Sequence, residues 1–379
     1  MRLIAMLGTG MLTRSYRPEG IPTVIDLLRS STQPDANPLQ LPRTLVILLQ
    51  IIKELSTARL QRTRHSLQSI VPEILHVLGG IYVGKVDTWA SSLEQGNSRS
   101  TGLADTMEQS LTSLKTIRRL LVAGFERPHR EKDASEFWLL THSQFSRLFA
   151  LATGSTAAPE DVRKLVEKHL LQLSKLHVEM AKVHAGSFAL LPDSIPLVQS
   201  YWTLVVKLGE NYSQLGTDGE QEKTFMEKAG LRALLLVKTC SNIAFYPAQS
   251  FKYQTPQDKE DKKEAVQLIK TQLFTHDFVN HAMELLVTQF FRFRQSDFQE
   301  WEADPEEWER KEDDVSEAWE FSIRSCSERI FLDLVIHFKD LLVPRLLTVF
   351  YSFASKYFPP TAWSSCTNGP VVKLQITAT

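Results

Sequence analysis

Residues 159–183 read PEDVRKLVEKHLLQLSKLHVEMAKV, and their apolar side chains recur at intervals of three and four residues. This spacing places the apolar side chains along one face of a helix. Pro159, Glu160 and Asp161 suit a first helical turn, because proline loses no hydrogen bond there and acidic side chains favour the positive end of the helix dipole. The stretch therefore predicts an amphipathic helix that buries one face against neighbouring helices.

The same pattern recurs along most of the 379-residue chain, whereas strand patterns are almost absent. Short polar breaks rich in turn residues separate the helical segments. A proline inside a helical pattern breaks or kinks it, so the last segment is expected to break at Pro344. Predicted helices cover 21–30, 42–58, 60–89, 107–125, 136–151, 162–183, 194–212, 220–245, 260–274, 277–293 and 316–353.

Successive helix pairs of this size match the HEAT unit of about 40–47 residues. We therefore predict an all-α fold, a HEAT-repeat α-solenoid of stacked antiparallel helix pairs, with a single globular bundle as the alternative. The predicted array covers residues 1–355, with flexible loops near 91–102 and 297–314. An irregular tail is predicted over 356–379, where the helical period stops.

Composition excludes several classes of protein. The net charge of −1 argues against nucleic-acid binding, which usually brings a basic excess, and against a polybasic membrane-surface protein. No apolar run approaches the roughly 20 residues of a membrane span, so no membrane insertion is expected. The cysteines are far apart, which favours a reducing compartment over a disulfide framework; they are Cys240, Cys326 and Cys366.

No catalytic signature is present. The sequence lacks the glycine loops that bind phosphates, the HExxH zinc motif and the GxSxG nucleophile motif. His177 and His184 share a face of one predicted helix with His169 nearby, but seven residues of helix separate the first two by about 10 Å, too far for one metal. We interpret them as surface or partly buried histidines, and predict no catalytic residue, cofactor or metal and no enzyme.

The most unusual segment is 297–320, which holds twelve acidic residues against two basic ones, with three tryptophans between them. One interpretation is a solvated acidic connection that its tryptophans, Trp301, Trp308 and Trp319, anchor to neighbouring helices. The other is an electrostatic surface for a basic partner, since complementary fields speed encounter and fix register. The candidate partner-binding residues are Glu300, Asp304, Glu306, Glu307, Glu309, Glu312, Asp313 and Asp314.

Two smaller clusters are basic, and both are predicted to be solvated faces. An acidic partner or a neighbouring acidic ridge is the alternative for each. The first comprises Arg59, Arg62, Arg64 and His65, and the second Arg118, Arg119, Arg127, His129, Arg130 and Lys132.

At the acidic segment the sequence resembles a known family. Residues 290–308, FFRFRQSDFQEWEADPEEW, resemble a passage of the importin-β (karyopherin) family in which one helix ends and the next opens around a "We.DPEe" motif. Arg324 to Glu328 is similar to the family's "R.CaE" stretch. Further matches, in the family's order, lie at 14–28, 44–64, 197–205 and 341–344, and the Trp301–Trp308 passage is most similar to importin-11-type receptors.

The resemblance implies a HEAT superhelix that binds basic protein cargo, Ran GTPase in its GTP state and FG-repeat nucleoporins. Such a carrier imports proteins and shuttles between nucleus and cytoplasm, with no direct contact to nucleic acid. A HEAT scaffold or adaptor for a different partner is the alternative, and an all-α enzyme is a third. Gly20 and Ile21 stand where the family has a tryptophan, and we expect a truncated, partial chain whose tail is not family sequence.

Overall fold

A computed structural model describes residues 20–33, 35–58, 61–154, 158–212, 224–246, 255–313 and 317–357. Within these ranges the chain is almost entirely helical and contains no strand. The all-α prediction is confirmed. The motif at 14–28 lies partly, and the predicted tail almost entirely, outside the described residues.

Fourteen helices follow one another along the described residues. Single turns cover Pro128–Arg130, Ala185–Phe188 and Glu317–Phe321, and π-helical turns over Ile269–Leu273 and Leu286–Phe290 extend α9 and α10. The helices are α1 Gly20–Ser30, α2 Gln40–Thr57, α3 Gln61–Glu94, α4 Leu103–Ala123, α5 Lys132–Gly154, α6 Glu160–Val183, α7 Ser194–Asn211, α8 Phe225–Phe245, α9 Pro256–Leu268, α10 His276–Leu285, α11 Gln295–Ala303, α12 Pro305–Asp313, α13 Ile323–His337 and α14 Lys339–Tyr357.

These helices form two layers. In one layer α2 packs on α4, α4 on α6, α6 on α8 and α8 on α13. The other layer contains α1, α3, α5, α7, α10 and α14, and its members pair with the first layer, as α3 does with α4 and α7 with α8. The helices of the two layers pack on their pair partners and on neighbouring pairs, which is the arrangement of a HEAT-type solenoid and not of a globular bundle. Helix α9 lies outside the two layers and contacts the connections that follow α4 and α6.

Large aromatic side chains fill the seams between the layers. Trp89 and Trp138 are almost completely buried, and the indole N–H of each has a partner. Trp89 donates to Ser110 Oγ over 3.0 Å, and Trp138 donates to the Pro192 carbonyl over 3.0 Å. A buried donor without a partner would cost about 1–3 kcal/mol, so these bonds let the rings add their apolar area to the core without that penalty.

The interpretation of the α6 histidines as surface or partly buried is wrong for His169 and His177. Both are fully buried, because other helices supply polar partners for their rings. His169 Nε2 lies 2.8 Å from Ser110 Oγ of α4. The rings are held neutral, since burial lowers the pKa of His169 to about 4 and that of His177 to about 3.

His177 links three helices. Its Nδ1 lies 2.9 Å from the hydroxyl of Tyr201 in α7, and its Nε2 lies 3.1 Å from Thr141 Oγ1 in α5. Because the Thr141 hydroxyl donates to the Trp138 carbonyl, it accepts from the His177 Nε2–H, and Tyr201 donates to Nδ1. One neutral tautomer therefore satisfies the whole network.

Helix α3 is long and apolar enough to cross a membrane by length and composition alone. Its apolar side chains Ile74, Tyr82 and Trp89 are fully buried. They lie in the seams with α4 and α5. The structure thus uses the apolar face of α3 as core.

The predicted helix boundaries fail in two places. Helix α3 continues to Glu94, so the predicted loop at 91–102 shrinks to a turn in which Gly96 and Gly102 adopt a positive φ of 80°. The predicted 316–353 helix breaks at Phe338 and not at Pro344, because the Phe338 N–H closes α13 on Leu334 while its carbonyl starts α14. Pro344 lies inside α14.

Exposed apolar side chains are concentrated on α13 and α14. Ile336, Leu347, Phe350 and Tyr351 are each about half exposed or more. Leu347 and Phe350 also line a groove of about 570 Å³ between α10 and α14. A solenoid covers the outer face of each pair with the next pair, so this is the face on which a further pair would stack.

The buried histidines predict a loss of stability in mild acid. From about pH 7 to about pH 5, each of His169 and His177 should lower the free energy of unfolding by about 2 kcal/mol. The reason is that the unfolded imidazole, with an ordinary pKa, takes up a proton that the buried ring refuses. Urea unfolding at a series of pH values measures this.

Two variants make that measurement specific. His177→Gln should remove about half of the pH dependence, because the titrating group is gone. His76→Gln changes an exposed histidine and should leave the dependence unchanged. Equal pH dependence in the native chain and in His177→Gln would contradict the account.

Candidate functional site: the acidic insertion

Residues 293–321, which we call the acidic insertion, separate α10 from its pair partner α13. A flexible loop was predicted near 297–314, but the structure has two short helices there, α11 and α12. The cause is local. Asp304 accepts a hydrogen bond from the Glu307 N–H over 2.9 Å, and Pro305 follows as the first helical residue. The DPEE sequence is thus a helix start, with an acidic cap, a proline and two carboxylates at the positive end.

The amino end of the acidic insertion is fixed to α8. Arg294 Nη1 lies 2.8 Å from Glu227 Oε1, and the Arg294 guanidinium lies 5.2 Å from the ring of Tyr212. Glu227 in turn caps α8 by accepting from the Thr224 N–H over 2.9 Å. Burial raises the pKa of Tyr212 to about 12, so its ring is neutral. Arg294 therefore holds this end through an ion pair with Glu227 and through packing on the Tyr212 ring.

The middle of the acidic insertion rests on an aromatic cluster. The ring of Phe293 lies 5.5 Å from Phe298 and 5.6 Å from Trp308. Arg324 of α13, which is buried, places its guanidinium 4.7 Å from the Phe293 ring and 5.4 Å from the Trp308 ring. A cation over two rings in a partly desolvated site contributes about 1–2 kcal/mol, so Arg324 acts as the central tether.

The carboxyl end of the acidic insertion is fixed to α6. Lys182 Nζ lies 2.8 Å from both carboxylate oxygens of Glu320. Trp319 packs, partly buried, against the core. The Ser322 side chain then caps α13 by accepting from the Ser325 N–H. Trp308 and Trp319 therefore anchor the acidic insertion to neighbouring helices, as the first of the two interpretations predicts. Trp301 does not, since its side chain is half exposed.

The candidate partner-binding residues are brought together on this tethered segment. Asp304, Glu306 and Glu309 are exposed, and Glu307 is half-buried and pairs with Arg310. Exposed Phe298 and Trp301 lie on α11 of the same segment. Carboxylates beside aromatic faces suit guanidinium groups, which bind both. Glu300, Glu312 and Asp313 belong to α11 and α12, but their side chains, and all of Asp314, lie outside the described parts of the chain.

The second basic cluster is not simply a solvated face, because acidic residues of two other helices neutralise parts of it. Arg127 lies 2.7 Å from Asp258, and His129 lies 3.0 Å from Asp261 of α9. Arg130 also pairs with Asp261 and Arg118 pairs with Glu179 of α6. In the first cluster, Arg62, Arg64 and His65 are exposed as predicted, and Arg59 lies outside the described residues.

Groups suited to chemistry do not converge in the described ranges. There, no set of three or more His, Cys, Asp or Glu side chains is placed to hold a metal ion. Cys240 and Cys326 are buried thiols, and burial raises the pKa of each to about 12, which suppresses the reactive thiolate.

The aromatic tether can be tested without a partner. Trp308→Ala should speed amide hydrogen exchange across 295–313 by about tenfold, because the loss of one ring contact and one cation contact is worth about 1.4 kcal/mol. Trp301→Ala is the matched control, since its ring is half exposed and is not part of the Arg324 cluster. Similar exchange in both variants would show that the cluster does not hold the acidic insertion.

Comparisons with known proteins identify nuclear transport receptors as relatives of this chain. No family model matches the chain. It is 28% identical over 309 residues to the importin beta-like protein KAP120 of Saccharomyces cerevisiae, covering 81% of this chain and 28% of that protein. It is 26% identical over 332 residues to human importin-11, covering 87% of this chain and 31% of that protein.

A solved structure agrees with these relatives. Lph2, described as a novel bidirectional nuclear transport receptor in S. cerevisiae, superposes with a TM-score of 0.74 at 26% identity. The match covers 89% of this chain and 31% of Lph2. The chain thus spans less than a third of the length of the receptors that it matches.

Proposed function

We propose that this chain, a helical solenoid similar to importin-11, forms part of an importin-β-type nuclear transport receptor that binds Ran in its GTP state and protein cargo. In this proposal the acidic insertion is the surface that takes a basic partner. The receptor would shuttle between nucleus and cytoplasm and pass FG-repeat nucleoporins. The observation that carries the proposal is an exposed row of carboxylates on a helix tethered to the solenoid.

The tethering favours the acidic insertion as a docking surface over a passive connection. A flexible acidic loop would lose conformational entropy when a partner ordered it, and that cost weakens binding. Arg294, Arg324 and Lys182 hold the segment before a partner arrives. The exposed carboxylates then offer a fixed array, which speeds encounter with a basic surface and selects one register.

The solenoid fits the coupling that a carrier needs. The helix pairs stack mainly on neighbouring pairs, so small rotations between pairs sum to a change of curvature. Two ligands that favour different curvatures oppose one another by linkage. Because the acidic insertion contacts α6, α8 and α13, a partner that moves it would act on three helices of one layer.

The proposed receptor differs from a general HEAT scaffold in one measurable property, which is that its binding to Ran depends on the nucleotide that Ran carries. The purified chain should bind Ran loaded with GTP more tightly than Ran loaded with GDP. The double variant Glu306→Gln/Glu309→Gln should weaken binding of the GTP form by about tenfold, which corresponds to about 1.4 kcal/mol for two charge contacts. Surface-based kinetic binding measurements should place most of the loss in the association rate.

A matched control changes the same charge elsewhere. Glu108→Gln/Glu136→Gln removes two exposed carboxylates from α4 and α5 and should leave Ran binding unchanged. If both Ran forms bind equally, or neither binds, the scaffold alternative replaces the receptor. If the control weakens binding as much as the insertion variant does, the insertion is not the docking surface.

A further inference from the structure

A second charged surface, of opposite sign, lies where α4, α6 and α8 pack side by side. Four cationic side chains meet there around Glu179 of α6, and we call this set the basic ridge. Its members are Arg118 and Arg119 from α4, Lys175 from α6 and Arg232 from α8. Sequence spacing alone could not group them, since these helices come together only in the fold.

The cations outnumber the one carboxylate between them. Arg118 pairs with one oxygen of Glu179, and Lys175 Nζ lies 3.9 Å from the other. Burial lowers the pKa of Lys175, and Arg118, Arg232 and Arg119 lower it further, while Glu179 opposes the shift. Burial and then Arg118 also lower the pKa of Arg119. The cations thus repel one another, and a second anion would relieve that repulsion.

The hydrogen-bonding capacity of the basic ridge is not used up. The side chain of Arg118 is 9% exposed, and its buried Nε has no hydrogen-bond partner in the described parts of the chain. An unpaired buried N–H on a charged group is costly, and a guanidinium presents its five donors in a fork that fits a carboxylate.

Lys175 and its neighbours remain reachable from solvent. The side chain of Lys175 is 46% exposed and that of Glu179 is 30% exposed. Arg119 and Arg232 are half-buried; Arg119 Nη1 reaches Ser56 Oγ over 3.4 Å, and Arg232 donates to Ser174 Oγ over 3.0 Å. The basic ridge is therefore a partly desolvated surface, where a charge pair is worth more than on an open one.

We propose that the basic ridge is a second docking surface, which takes the carboxylates of an acidic segment of a partner protein. Glu179 already shows that the site accepts a carboxylate between Arg118 and Lys175. An acidic protein segment fits better than a nucleic acid, because the cations are confined to one place and the chain has a net charge of −1, whereas nucleic acids select an extended basic excess.

The basic ridge adjoins the acidic insertion. Lys175, Glu179 and Lys182 follow one another along α6 at intervals of four and three residues, which places them on one face. Lys182 forms an ion pair with Glu320 of the acidic insertion. A partner with a basic and an acidic segment therefore meets two complementary fields at a fixed separation, and these set its orientation. The proposal goes beyond the receptor function and does not depend on Ran.

The test uses the full chain and a fluorescent oligoglutamate peptide. Fluorescence anisotropy should detect binding that weakens as salt increases. The double variant Arg119→Glu/Lys175→Glu should reduce the affinity at least about tenfold. The matched control Arg43→Glu/Lys259→Glu makes the same charge change at two exposed positions on α2 and α9 and should change the affinity less than about twofold.

Folding and ligand class are controlled in the same series. Circular dichroism checks each variant, and Arg119→Gln/Lys175→Gln serves if the charge reversal unfolds the chain. The proposal is overturned if the native chain does not bind the peptide. It is also overturned if the control loses affinity as much as the ridge variant, or if a single-stranded RNA of equal charge binds more tightly than the peptide at the same salt.

Discussion

The side-by-side packing of α4, α6 and α8 is the constraint on which the rest of the molecule depends. Helix α6 lies between the other two and also contacts α5, so its apolar side chains must serve three interfaces. Leu170, Leu173 and Leu176 are fully buried as a result. Each buried leucine contributes roughly 1.5–3 kcal/mol, and the layer holds its order because neighbouring pairs share these contacts. A change in the spacing of α6 would displace both charged surfaces.

The polar groups on α6 follow from that position. His169 and His177 point into the seams and find partners on α4, α5 and α7. Lys175, Glu179 and Lys182 face outward on the same helix and meet cations of α4 and α8 and the acidic insertion. One amphipathic helix thus supplies core, a basic ridge and a tether. The acidic insertion needs such tethers, because its carboxylates repel one another in the absence of cations.

The sequence predicts the fold well because its information is local. Apolar spacing of three and four identifies α2, α4, α6 and α7 to within a few residues. The failures arise where tertiary contacts decide. His177 is buried because Tyr201 and Thr141 form hydrogen bonds with its ring. The last predicted helix breaks at Phe338 and not at Pro344. Neither outcome is visible from local spacing.

The candidate site, like the fold, has some features that local sequence predicts and others that only tertiary contacts reveal. The density of carboxylates located the acidic insertion, and the resemblance placed Arg324 in a family motif without giving its role. Its contact with Phe293 and Trp308 joins residues from separate helices, so only the fold reveals it. Sequence spacing did not identify the basic ridge as one set. It grouped Arg118 and Arg119 with Arg127 and His129, but Arg127 and His129 pair with carboxylates of α9. Long-range pairing of charges decides which of them remain available.

The central claim is that a partner binds the acidic insertion while the two-layer array supports it. Hydrogen–deuterium exchange of the whole chain, alone and with GTP-loaded Ran, tests this most directly. The account predicts slower exchange across 295–313, with little change in the buried part of α3 around Tyr82 and Trp89. Protection elsewhere with unchanged exchange across 295–313 would contradict it.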